Sequence, residues 1–326
     1  MSVTRERSFS AGVPGACVEG IRSAGIDVLG LANNHIMDHG AAGLEYTLRV
    51  CAEADIGTVG AGKNLAAARR MLIREVGGVR VGIIAMAERE FSIATREEWG
   101  ANPLDLIDFV RNVAENRGRF DYLVALVHGG YEFAPYPSPR IRNTCRFLVE
   151  QGANFVFVQH THCLGGYESY KGEFIAYGQG AVVMDEAIYR ELEMFHEGYL
   201  VRIALMPDTE PEIDLIPFRH RCGAPGVERM NAEGSAALLE GLQRKSETIA
   251  DDAFIESEWD KFCQEREHGY LSSVLGHNRL VRKLNKGGWV ERLLYTKRAL
   301  LGVRNCICCE THREVLETVL DRLTPR

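Results

Sequence analysis

An α/β layered core followed by a helical extension is the architecture predicted for this 326-residue chain. Short apolar runs alternate with stretches of helical periodicity as far as about residue 220, the pattern of an α/β layered domain. From about Asn231 strand signals vanish and helical periodicity runs to the end. Three of the apolar runs also end in clusters of His, Asn and acidic residues.

The elements follow in order. Val13–Ala24 repeats apolar and small residues at helical spacing and stops at Gly25. Ile26–Ala32 is a short apolar run suited to a buried strand. Ala41–Ala54 is a helix with Leu44, Leu48 and Cys51 in register, Asp55–Gly60 a strand, and Leu65–Arg70 a short helix. Met71–Val76 and Val79–Ala87 flank Gly77-Gly78 as in a hairpin. Asn102–Asn116 is a helix with Pro103 in its first turn. Tyr122–Val127, then helix Arg140–Gln151, then Phe155–Val158 complete two strand–helix units. Tyr167–Tyr170 and Glu173–Tyr177 form a hairpin about Lys171-Gly172, and Leu200–Met206 and Glu212–Phe218 are further strands. The predicted domains are 1–225, the layered core, and 226–326, the helical extension.

Hydrophobic residues make up 46% and charged residues 25%, which is globular composition and excludes a disordered chain. The 38 Lys+Arg fall short of the 45 Asp+Glu, and this net charge of -7 argues against nucleic acid as a partner. Nine cysteines are odd in number and sparse, so free thiols in a reducing compartment are expected. Met1–Ala11 has charge but no apolar h-region, and no run of about 18 apolar residues occurs, so the expected location is cytoplasmic.

The chemistry gathers at three strand ends. They carry Asn33-Asn34-His35 with Asp38, then His128 with Glu132, then His160 and His162. In open α/β sheets ligands bind beyond the carboxyl ends of strands. Neutral imidazole is the commonest metal ligand, and an Asn oxygen suits a hard or borderline cation. Each piece has a plainer reading: Asn-Asn-His is also a turn sequence, and a lone His at a strand end is usually a satisfied polar residue. Their recurrence at three strand ends sets a metal site level with that plainer reading. His196, His220, His268 and His277 lack such companions. Cys306, Cys308, Cys309 and His312 are spaced unlike a structural zinc site, and a buried helix over Asn305–Leu323 is the expectation there. Gly60-Ala61-Gly62-Lys63 lacks the Ser or Thr of a phosphate loop and is read as a turn.

These motifs also carry a resemblance. LANNHIMDHG (Leu31 to Gly40), VHGGYEF (Val127 to Phe133), the stretch from Gln159 to Asp185 and Thr58–Gly62 with Asn64 resemble, in order, the motifs of the CapA-type capsule-synthesis family. That family is named for poly-γ-glutamate synthesis and is similar to calcineurin-like metallophosphoesterases. The resemblance implies a four-layer α/β/β/α sandwich with a two-metal site. It assigns Asn34, His128, His160 and His162 as metal ligands and His35 as the group that stabilises the transition state or protonates the leaving group. Asp38 and Glu132 belong to the same motifs and are taken with His35 as catalytic candidates. The implied cofactor is a divalent cation, Mn, Zn or Mg, as one or two ions. The implied reaction is metal-assisted hydrolysis of a phosphoester or a polymer linkage, with metal-assisted proton abstraction as the other chemistry such a site allows.

Several departures sharpen the expectation. Family members begin with a strand ending in Gly-Asp, followed by an Asn-Leu-Glu element, and those acids serve the first metal and the bridge. This chain carries neither, and Phe9–Ala32 matches the helix and strand that come after them. A sandwich lacking its first strand, in an N-terminally truncated chain, is therefore expected. Asn34, His128 and His160 would serve one metal, leaving only His162 for another. An intact N-terminus would allow membrane association, since members often carry an anchor there. Gln159, Gly130 and Ala181 also differ from the family pattern and bear on substrate recognition. The alternative is a non-catalytic scaffold for capsule-assembly proteins or a membrane surface. It would use a helix over Gly287–Leu301, within the basic block Arg279–Arg304, where Trp289, Leu293, Leu294, Leu300 and Leu301 lie among Arg292, Lys297 and Arg298.

Overall fold

Strict alternation in Tyr122–His128, buried at every second residue, identifies a strand that separates two packed layers. In the computed structural model this strand, β7, lies at the centre of a six-stranded sheet. The structure describes residues 12–182, 196–206, 209–221, 226–275, 281, 285, 289–290 and 295–323. Its helices are α1 (Cys17–Ser23), α2 (Gly40–Glu53), α3 (Leu65–Ala68), α4 (Leu106–Glu115), α5 (Pro139–Glu150), α6 (Ala232–Ile249), α7 (Asp252–Val274), α8 (Lys297–Cys308) and α9 (Glu310–Leu323). Its first six strands are β1 (Val28–Gly30), β2 (Gly57–Val59), β3 (Ala61–Gly62), β4 (Leu72–Val76), β5 (Val79–Ala87) and β6 (Gly100–Ala101). After β7 come β8 (Phe155–Gln159), β9 (Tyr167–Tyr170), β10 (Glu173–Ala176), β11 (Glu197–Ala204), β12 (Glu212–His220) and β13 (Val227–Arg229).

The main sheet runs β4-β5-β7-β8-β10-β9. Its inner strands are parallel, and β4 and β9 close the edges antiparallel through hairpins. Register sorts the side chains by layer. The row Ile84, Ala125, Val156, Ile175 crosses the four inner strands and packs with Ile141, Cys145 and Leu148 of α5 and Phe109 of α4. One residue on, the row Ala85, Leu126, Phe157, Ala176 faces the other way. Ala85 and Leu126 meet Val28, Ala32 and Val59 of the β1–β2 pair, and Phe157 meets Val201, Ile203 and Leu215 of the β11-β12-β13 sheet. A helix layer, the main sheet and a second β layer are thus stacked, with α2 against β2 and α6 against β9 and β12. The α/β class and the C-terminal helices stand as expected.

Local chemistry explains the boundaries. Ser138 accepts from the Ile141 N–H, with Pro139 in the first turn of α5. Helix α4 starts later than expected, because Asp105 rather than Pro103 caps it, accepting from Ile107 and Asp108. Pro103 instead pairs with Ala87, which extends the main sheet's edge. Helix α1 likewise starts only at Cys17. Lys171 and Gly172 both take positive φ in the β9–β10 turn, the geometry a two-residue hairpin needs.

The chain divides into two compact units, the larger being Ser10–Asp260 and the smaller taking in Lys261–Arg326. The larger therefore includes α6, whose Leu238 and Leu242 pack with Tyr199. In the smaller unit the expected buried helix over Asn305–Leu323 is corrected twice. The helix breaks at Cys309, which is extended, and Cys306, Cys308, Val315 and Leu316 are exposed. These helices bury no continuous apolar face among the described residues, so helical periodicity there did not mean burial. Tyr295 and Thr296 also interrupt the expected basic helix, while Arg292, Leu293 and Leu294 lie outside the described residues, as does the motif end Val183–Asp185. Among the described residues no helix is long and apolar enough to cross a membrane.

Candidate metal centre

The first arm of the site leaves β1. Leu31 N–H donates to Val59 O and prolongs the ladder by one residue. The chain then turns: Asn33 Oδ1 accepts from the His35 N–H at 2.9 Å, and Ser92 Oγ donates to Asn33 O at 2.6 Å. Asn33 is thus a builder of the turn, and Asn34 is its product. Asn34 is buried, with Oδ1 3.0 Å from His128 Nε2. His35 Nδ1 lies 2.8 Å from Asp38 Oδ2.

The second arm is the end of β7. His128 pairs with Ala87 on one side and Gln159 on the other, in the same parity as Leu126, so its ring faces the β1 side of the sheet. The third arm follows β8. Here His160 and His162 both adopt positive φ, 108° and 57°, as does Phe133 at 64°. Such conformations are costly for residues with a Cβ and persist only where the surroundings impose them. The Phe133 N–H donates to Thr161 O and ties the Glu132 loop to the His160–His162 loop. Beneath them Gly178 has φ 147°, and a Cβ there would come within 2.7 Å of Cys163 O and 2.8 Å of Thr161 Oγ1. The glycine lets two chain segments touch, which presses the strained loop into place.

The rings gather closely. His128 and His160 centroids are 4.6 Å apart, and His160 and His162 are 6.2 Å apart. Ligand atoms of Glu132, His160 and His162 all lie within 4.8 Å of one another. Glu90 Oε1 stands 3.9 Å from His160 Nε2, and Glu132 Oε1 stands 3.9 Å from His162 Nε2. A cavity of about 510 Å³ opens beside them, walled by Gly30 and Val201 of the second β layer and floored by Leu126 and Phe157.

Electrostatics prepares these groups for a cation. Burial, reinforced by the neighbouring His160, His162 and His35, pushes His128 down to about 3. Burial, with His160 and His35, pushes His162 down to about 4. Both imidazoles are therefore neutral at pH 7, the form that ligates metal. Glu90 is raised, by burial first and by Glu88 next, against the Asn34 hydrogen bond and His35, which lower it. Neutral imidazoles, an amide oxygen and two carboxylates within one cluster fit a borderline divalent cation such as Mn²⁺ or Zn²⁺.

All seven residues singled out in the sequence, Asn34, His35, Asp38, His128, Glu132, His160 and His162, meet around this one locus. Two were missed. Glu88 accepts from the Gly130 N–H at 2.7 Å and pairs with Arg140, which anchors the loop after His128. Glu90 faces His160. Both lie in Ala87-Glu88-Arg89-Glu90, whose charge reads as a solvated loop. The available signal was position: β5 ends level with His128, a fourth strand end at the same edge. His220 is structural, its Nε2 2.5 Å from Ala181 O.

Residues 3–186 match the family model described as Bacterial capsule synthesis protein PGA_cap. The chain is similar to the capsule biosynthesis protein CapA of Bacillus anthracis, 31% identical over 214 residues, covering 64% of this chain and 51% of that one. It is 30% identical over 233 residues to the PGA biosynthesis protein CapA of Bacillus subtilis (strain 168), covering 70% of this chain and 60% of that one. The chain thus spans about half the length of the curated relatives it matches. A crystal structure of a novel phosphatase from Mycoplasma pneumoniae aligns with 65% of this chain and 74% of that one, at 13% identity and TM-score 0.38. A likeness that slight says nothing about chemistry.

Proposed function

The chain belongs to the bacterial capsule synthesis protein family PGA_cap, and from that premise we propose that it is a metal-dependent hydrolase acting on a phosphoester or a capsule-polymer linkage. The observation that carries this reading is the convergence of neutral His128 and His162 with Asn34, His160 and Glu132 at the carboxyl ends of β1, β7 and β8. Asn34, His128, His160 and His162 would hold the cation. When bound, such a cation polarises the scissile oxygen and makes water a competent nucleophile near neutral pH. The chain's own residues do the rest. His35, hydrogen-bonded through Nδ1 to Asp38, presents Nε2 as a proton donor for the leaving group. Asp38 fixes the tautomer and orientation of that ring rather than meeting substrate itself. The cavity beside Leu126 and Phe157 offers an apolar wall for the substrate's non-reacting part.

The test is turnover of a phosphodiester chromophore and of poly-γ-glutamate by Mn²⁺- or Zn²⁺-loaded protein. Hydrolysis of either, abolished in His128→Ala and His160→Ala, supports the reading. A metal-loaded chain inert toward both contradicts it.

A second reading, a scaffold for capsule-assembly proteins or a membrane surface, is favoured by the exposed Leu301, Ile307, Val315, Leu316, Val319 and Leu320 of α8 and α9. Co-sedimentation with anionic vesicles that is lost on neutralising Lys297 and Arg298 would support the membrane form. No co-sedimentation would remove it.

A further inference from the structure

Glu90 is held at the site by a loop with its own supports. The Glu88 N–H donates to His128 O, the Glu90 N–H to Glu88 O, and the Ala101 N–H to Ser92 O. Ser92 Oγ in turn donates to Asn33 O at 2.6 Å, so this loop and the Asn33–His35 turn are fastened together. Gly129 permits the arrangement, since a Cβ there would come within 2.7 Å of Glu88 Cγ.

The consequence is a carboxylate on each flank of the histidine cluster. Glu132 stands beside His162, and Glu90 stands 3.9 Å from His160 and accepts from the Asn34 side chain. Asn34 offers its Oδ1 3.0 Å from His128 Nε2. One carboxylate, Glu132, therefore stands with His162, and the other, Glu90, stands with Asn34, whose amide oxygen in turn meets His128. His160 lies between them. A solvated loop acid would point away. The Glu90 side chain is only 32% exposed and aimed inward.

We propose that Glu90 is a metal ligand, and that with Asn34 and His128 it forms a second divalent-cation position beside the one formed by Glu132 and His162. Each position then has one carboxylate to offset the cation's charge, one or more neutral donors, and open sides for water. Carboxylate and amide oxygens on the Glu90 side suit Mn²⁺. This assignment rests on the metal-site reading above and extends it from one ion to two.

The experiment uses the full chain, stripped with chelator and titrated with Mn²⁺. Calorimetry and elemental analysis give ion number, and electron paramagnetic resonance reports spin coupling between ions. Circular dichroism confirms that each variant is folded. Two ions per chain are expected, with a coupled signal. Glu90→Gln should lose one ion and the coupling while keeping the other, or weaken one site about 10-fold to 100-fold. Glu132→Gln should lose the opposite ion. Two-ion binding unchanged in Glu90→Gln, or one-ion binding with an affinity unaffected by it, overturns the Glu90 assignment and leaves the metal-site reading standing. No Mn²⁺ or Zn²⁺ binding by the unaltered chain overturns both.

Discussion

His35 Nδ1 lies 2.8 Å from Asp38 Oδ2, three residues along the same turn. The pair is local in sequence, yet His35 is near enough to His128, at the end of another sheet's strand, to help lower that ring's basicity. Such a hydrogen bond sets which ring nitrogen carries the proton, and His35 lines the cavity.

That relationship separates two roles. His35→Ala should cut kcat on a phosphodiester probe by about 100-fold, the range typical of a lost general acid. Asp38→Asn keeps the hydrogen bond but alters its charge, and a loss of about 10-fold is expected. Both variants should retain Mn²⁺ affinity. A Mn²⁺ titration in which His35→Ala binds as weakly as His160→Ala would make His35 a ligand instead.

Acid should destabilise the metal-free protein through His128 and His162. Their folded-state values, about 3 and about 4, lie below the ordinary 6.5 of an unfolded histidine. Below pH 6.5 the unfolded chain takes up protons that the folded chain refuses. Stability is therefore full above pH 6.5 and is lost as pH falls toward 4, by roughly 1 kcal/mol per pH unit for each histidine. Urea midpoints measured at pH 7.5, 6.0 and 5.0 should fall in that order. His128→Asn should flatten the dependence, and an equal slope in that variant would assign the effect elsewhere.

Glu168 predicts a stability effect without a metal effect. It is buried and accepts from Arg146 Nε at 3.0 Å and from the Tyr177 hydroxyl at 2.8 Å. Glu168→Ala leaves the Arg146 guanidinium with the more distant, exposed Asp252 at 3.8 Å and should cost roughly 2 kcal/mol. Replacing Arg146 and Glu168 together with Met and Leu should recover much of that loss. The readout is the denaturant midpoint, with Mn²⁺ stoichiometry unchanged.

Gly178→Ala should act on the site from below. The added methyl meets Cys163 O and Thr161 Oγ1 at less than 3 Å, at a φ that disfavours any Cβ. A stability loss of about 1–3 kcal/mol and weaker Mn²⁺ binding are expected together. Undiminished binding would mean that the His160–His162 loop holds its shape without the glycine.

The layered core was legible because its strands state their layers. Tyr122–His128 alternates cleanly, and the polar residues at its end fall where the sheet runs out. The site was legible for the same reason, since Asn34, His128 and His160 all follow apolar runs. Glu90 was not, because burial of a loop acid depends on which distant segment packs over it, here the Asn33 turn held by Ser92. The strain at His160 and His162 was equally hidden, as nothing local demands positive φ there. In the tail, periodicity through Val315 and Val319 describes an amphipathic helix but not what covers it, and these side chains are exposed.

Whether these histidines hold a metal is decided by divalent-cation binding to the full chain, measured by calorimetry with Mn²⁺ and Zn²⁺ after chelation. At least one ion per chain is expected, and both His128→Ala and His160→Ala should bind fewer ions, or bind them about 10-fold or more weakly, while their circular dichroism stays unchanged. Absence of binding, or ion number and affinity unchanged by both substitutions, would contradict a metal centre at these histidines.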